Sequence, residues 1–121
     1  TVLLMAAARR DFFLTVQHGQ FYQGKPVIGY DLPGFGDELC GLPYLPRLIA
    51  KARAKLVGSM GDDIIYCCEN DRRFFRDHGN IHPADFLRVV WAAGDSDPKV
   101  YDYVRQRTLS VSSAVPDNEQ T

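Results

Sequence analysis

Apolar residues recur at three- and four-residue intervals along most of the chain, and glycine or proline punctuates each run. The clearest run lies between Cys40 and Gly58, where Leu45, Leu48, Ile49, Ala52 and Leu56 fall on one helical face. Pro43 and Pro46 suit an opening turn and Gly58 suits the residue past the end, which predicts a helix from about Tyr44 to about Val57. Upstream, Val2 to Val16 is rich in strong helix formers, with Thr1 placed to cap it and Gly19 to stop it. Its expected face carries Val2, Met5, Ala6, Arg9, Phe12 and Phe13. Downstream, Asn70 or Asp71 is expected to cap a short helix reaching about His78, with Asp71, Phe74, Phe75 and His78 on one face. Pro83 opens a fourth helix that buries Phe86, Leu87, Val90 and Trp91, and Asp97-Pro98 opens a fifth, edged by Val100, Tyr101 and Val104.

Between the first two helices the pattern dissolves. The segment from Phe21 to Leu39 is rich in Gly and Pro and reads as irregular, with short extended pieces at 20–22 and 27–30 and aromatics to pin it down. A loop of that length in a small domain is more often functional or partner-facing than incidental. Ile64 to Cys68 is a short apolar run expected to cross the core in extended form. From Leu109 the chain turns polar and should be mobile. The expectation is an all-α single domain of about five helices, in which residues 1–30 form an extension, 31–108 the core and 109–121 a flexible tail.

A length of 121 residues permits one real hydrophobic core. Net charge is −1, with 45% apolar and 24% charged residues, so bulk attraction to nucleic acid or to a membrane is not expected. No apolar run approaches the ~20 residues that span a bilayer, and a cytoplasmic location is the default expectation. Cys40, Cys67 and Cys68 are too few for a disulfide framework and read as reduced thiols.

Charge matters most on the central helix. Arg47, Lys51 and Lys55 follow one another at i, i+4 along one flank, with Arg53 on the other. No acid within the helix offsets them, so the counter-charge must come from elsewhere in the fold, from solvent ions or from a ligand. One reading leaves these heads in water above their apolar stems; the other gathers them around a phosphate or carboxylate. Asp71 is the natural counter-ion for Arg47 or Arg53, or a simple helix cap.

Cysteine catalysis would pair Cys68 with His78 or His82, although no orienting motif accompanies them. The spacing of Cys40, Cys68, His78 and His82 matches no recurrent zinc pattern, so no metal is expected. Gly34, Gly36 and Gly41 form no dinucleotide fingerprint, and no other cofactor motif is present. A nucleic-acid module would need aromatics interleaved with the basic helix, which it lacks.

Gly41, the run LPRLIAKARAKLVG from Leu45 to Gly58, Gly61, Tyr66-Cys67-Cys68 followed by Asp71, and Phe86-Leu87 closing with Asp97 carry a resemblance. Over about residues 31–107 the chain resembles a small bacterial family, a domain of unknown function numbered five-zero-six-nine. The resemblance implies that Arg47, Lys51, Arg53, Tyr66, Cys68 and Asp71 belong to the family pattern, and it implies no activity. The family usually has an acid where this chain has Ala50, which removes a local counter-charge from the basic helix.

Two functions follow as expectations. In the first, Arg47, Lys51 and Arg53, with Tyr66, bind an anionic small molecule, and Cys68, Asp71 and His78 are the candidates if the site is catalytic. In the second, the loop and the aromatic N-terminal segment pack against a second copy or another protein, with no chemistry. Whether the protein is an enzyme is left open by the sequence.

Overall fold

Five helices carry the chain: α1 (Val2–Thr15), α2 (Leu45–Val57), α3 (Glu69–Asp77), α4 (Pro83–Ala93) and α5 (Asp97–Gln120). The computed structural model describes residues 2–120, with side chains described for residues 2–111. The Thr1 cap lies outside the described residues, as do most side chains of the expected tail over 109–121; the described backbone continues α5 as far as Gln120. Among the described residues no helix is long and apolar enough to cross a membrane.

α2 is the hub. Its predicted face, Leu45, Leu48, Ile49, Ala52 and Leu56, is almost fully buried, and each large aliphatic side chain so buried contributes roughly 1.5–3 kcal/mol. α1 and α4 pack closely on α2 and on each other, and α5 closes the remaining side against α4 and α2. Val100 and Val104 supply the apolar edge of α5, and Phe86, Leu87 and Val90 that of α4. α3 is held mainly by its side chains: Phe75 meets Phe86 at 5.3 Å between ring centroids, and Phe74 meets Tyr44 at 6.0 Å. Gly58 ends α2 in the left-handed conformation, returning its N–H to the Ala54 carbonyl.

Four expectations change. α1 turns Met5, Ala8 and Phe12 to the core and leaves Val2 and Ala6 outside, because its apolar residues surround the helix and packing on α2 and α4 selects among them. Residues 64–68 form turns rather than an extended crossing: Ile64 and Tyr66 are buried, Ile65 is exposed, and Cys67 has a positive φ that breaks any strand. In the long loop, Val27 makes a lone parallel bridge to Met60, and Gly29–Asp31 form a 3-10 turn in place of the second extended piece. Its aromatics pin it unevenly, since Tyr30 is exposed while Phe21 packs on Phe13 and Phe35 on Tyr44.

A small antiparallel hairpin also appears, β1 (Glu38–Leu39) and β2 (Leu42–Pro43), with Glu38 opposite Pro43 and Leu39 opposite Leu42. Its two-residue turn, Cys40-Gly41, has positive φ at both positions, the geometry whose twist matches paired strands. This hairpin delivers Tyr44 to the start of α2.

Gly79, between α3 and α4, lies against α5. A Cβ there would sit 2.6 Å from the Arg107 carbonyl oxygen, at a φ of +92°. Gly79→Ala is expected to lower stability by about 2 kcal/mol or more in urea unfolding. Gly36→Ala, where a Cβ meets open space, should stay within roughly 0.5 kcal/mol of the parent.

Candidate functional site

Asp71 is fully buried, and every group that compensates its charge is identifiable. It occupies the third position of α3, where the partial positive charge of the helix N-terminus favours a carboxylate. Cys68, not Asn70 or Asp71, is the capping position. The Asp71 carboxylate accepts hydrogen bonds from the backbone amides of Cys67 and Cys68, at 2.9 and 3.4 Å, which fixes the turn entering α3. Lys51, only 5% exposed, reaches both carboxylate oxygens at 3.1 Å. The Tyr44 hydroxyl donates a short hydrogen bond to the same carboxylate. The counter-ion of Asp71 is therefore Lys51, in place of the expected Arg47 or Arg53, because Lys51 lies on the side of α2 that faces α3.

Backbone strain gathers at this cluster. Tyr44 precedes α2 with φ +76°, and Cys67 precedes α3 with φ +70°, conformations that cost a non-glycine residue about 1–3 kcal/mol. Both are tied to Asp71, one by its hydroxyl and the other by its amide. Burial, then the hydrogen bond to Asp71 and that carboxylate's charge, push the Tyr44 phenol well above its ordinary range. The Tyr66 phenol is raised by burial first and by Asp71 second, and its hydroxyl donates to the Pro83 carbonyl at 2.8 Å. Burial also raises the Cys67 thiol. Cys68 Sγ lies 3.4 Å from Lys51 Nζ.

Tyr44 joins this buried cluster to a cleft of about 250 Å³ between α3 and the segment before α2. Phe35, Tyr44 and Phe74 form its aromatic walls. Asn70, Arg73, Asp77 and His78 supply its polar groups. Arg47 stands behind the Phe35 wall, its guanidinium 4.1 Å from the ring centroid and donating to the Pro33 carbonyl at 3.0 Å. The His78 ring stacks on Phe74 at 4.1 Å, and its Nδ1 lies 2.8 Å from the Phe74 carbonyl.

The sequence-derived candidates thus part company. Lys51, Cys68 and Asp71 come together, and Tyr66 lies beside them in the core. Arg47 reaches only the back of the cleft wall. Arg53, two residues from Lys51 and so turned about 200° around the helix, pairs with Asp97 and donates to the Gly94 carbonyl at 2.9 Å. The cations of α2 do not share a cavity. Neither histidine meets Cys68: His82 caps α4 by accepting from the Ala84 amide at 3.0 Å, and His78 faces the cleft.

The sequence reading passed over Tyr44, Asn70 and Arg73 as candidates. For Asn70 and Arg73 a signal existed, since Asn70, Arg73, Phe74 and Asp77 follow i, i+3, i+4, i+7 spacing along α3 and His78 continues it just past the helix end.

Removing one member of the buried pair leaves the other uncompensated, so Lys51→Ala is expected to cost about 3–5 kcal/mol in urea unfolding. The double variant Lys51→Met with Asp71→Asn should lose less than the sum of the singles, revealing the coupling. High pH provides a separate readout. The folded chain holds the Tyr44 and Tyr66 protons above the ordinary phenol value of about 10, whereas the unfolded chain releases them there. The unfolded state then binds fewer protons, and stability falls as pH rises above about 10. Tyr44→Phe should flatten that fall in urea unfolding measured between pH 9 and 11.

No curated protein and no solved structure matches the chain. The sequence profile of one family matches residues 36–115, which takes in the hairpin, α2, α3, α4 and most of α5 and leaves α1 and most of the long loop outside. The buried cluster and the cleft lie within that span, apart from Phe35 at its edge. By that match the chain belongs to the family described as Domain of unknown function (DUF5069).

Proposed function

We propose that the protein binds a small anionic molecule with a flat or apolar body, in the cleft between α3 and the segment before α2. The observation that carries this reading is the composition of the cleft. Aromatic walls surround polar groups contributed by a single helix face, and the wall residue Tyr44 is locked from behind by Asp71 and Lys51. Such pre-organisation lowers the ordering cost of binding.

Arg73 is the group that suits an anion: it lines the cleft one helical turn from Asp77, while Arg47 stands behind the Phe35 wall. Arg73 forms no ion pair among the described residues and keeps its guanidinium fork for a carboxylate or phosphate. Size narrows the class. At about 250 Å³ the cleft falls below the ~300–1,000 Å³ usual for drug-sized ligands, so it suits a small carboxylate or phosphoester better than a dinucleotide.

A thermal-shift series with inorganic phosphate, benzoate and small phosphoesters tests the proposal. At about 100 times Kd a ligand contributes ~2.7 kcal/mol, a rise on the order of 10 °C for a domain of this size. The rise is expected in the parent and in Arg53→Ala, and it should disappear in Arg73→Ala. A rise that persists in Arg73→Ala, or that is lost in Arg53→Ala, would move the site away from this cleft.

A further inference from the structure

α1 has two faces that can pack, and the core uses one. Met5, Ala8 and Phe12 face inward, while Val2 and Phe21 remain 73% and 75% exposed. On the outer side Ala6, Arg9, Arg10 and Phe13 stand at i, i+3, i+4 and i+7, and Val2, Ala6 and Arg9 continue that spacing one turn earlier, with the half-buried Met5 as the inner corner shared with the core. Four residues at this spacing form the hole that receives one knob from a facing helix, so two consecutive holes lie open along α1. Ala6, shared by both, is the small residue that makes them deep. The surface is concave, with about 350 Å³ of space closed at its sides by Phe21 and Lys55.

Its charges have one sign. Arg9, Arg10 and Lys55 border the groove, and the one acid of α1, Asp11, turns away to pair with Arg88 at 2.9 Å. Arg9 is held in place by donating from Nε to the Lys55 carbonyl at 3.2 Å, at the negative end of the α2 dipole. The Phe13 and Phe21 rings, 4.9 Å apart, form the apolar end.

We infer that this groove docks an amphipathic helix of another protein, one that places apolar knobs in the two holes and acidic residues against Arg9, Arg10 and Lys55. A second copy of this chain fits poorly, because a two-fold contact through the groove would set its three cations against the same three. A membrane surface would meet a flat or convex apolar face, whereas this one is notched at helix-packing intervals. The surface is separate from the α3 cleft and independent of its ligand.

Selection of displayed helical peptides, randomised at all outward positions, against the immobilised full chain tests the inference. The recovered sequences should combine apolar residues at i and i+3 or i+4 with flanking Asp or Glu. Synthetic copies should bind at least ten-fold more weakly to Ala6→Arg and to Arg10→Glu, both on exposed positions, and should weaken with salt. Exchanging Glu for Lys in the peptide should restore binding to Arg10→Glu. Three results would overturn the inference: no acidic bias among the binders, binding indifferent to both variants, or a chain that selects no helix but dimerises in sedimentation or pellets with phosphatidylglycerol vesicles.

Discussion

A carboxylate with no access to water must be compensated by the protein, and the arrangement around Asp71 depends on that need. Lys51 supplies the opposite charge, two backbone amides supply hydrogen bonds, and Tyr44 supplies a third donor. Each donor comes from a different structural setting: the middle of α2, the turn entering α3, and the end of the hairpin. A single buried charge thereby fixes three segments that make few close backbone approaches to one another. The apolar core supplies most of the stability, and this cluster decides how α3 is set against it.

That setting creates the cleft. The hairpin turn at Cys40-Gly41 reverses the chain, and the left-handed Tyr44 aims its ring between Phe35 and Phe74. The first turns of α3 then bring Asn70 and Arg73 to the same opening. Strain at Tyr44 and Cys67 is sustained because both are bound to one buried acid. On the far side of α2, Arg53 and Asp97 tie the entrance of α5, so the helix faces separate duties in opposite directions.

Much of the fold was legible because helix punctuation is local. Pro83, Gly58, Gly94 and the Asp97-Pro98 step act within a turn of their own positions, and the helix limits they imply agree with the structure to within a residue or two. The α1 face was not legible. Its apolar residues surround the helix, and only the distant surfaces of α2 and α4 select Met5, Ala8 and Phe12 from among them. Of the candidate site, Lys51, Cys68 and Asp71 stood out in the sequence and lie together in the fold, but the pairing of Lys51 with Asp71 spans twenty residues and no local rule specifies it. Tyr44 escaped because a left-handed tyrosine at a helix entrance is a tertiary effect, enforced by a partner on another helix.

Position 50, where the resemblance implies an acid and this chain has alanine, bears little on the buried pair. A carboxylate beside Lys51 in sequence would point to another side of α2, whereas Asp71 meets the ammonium directly from α3. For mutation and selection, positions 51 and 71 therefore act as one character. Against a total stability of about 5–15 kcal/mol, losing either charge alone removes a large share of the margin. The viable path through sequence space exchanges both together, or replaces both with apolar residues of similar volume.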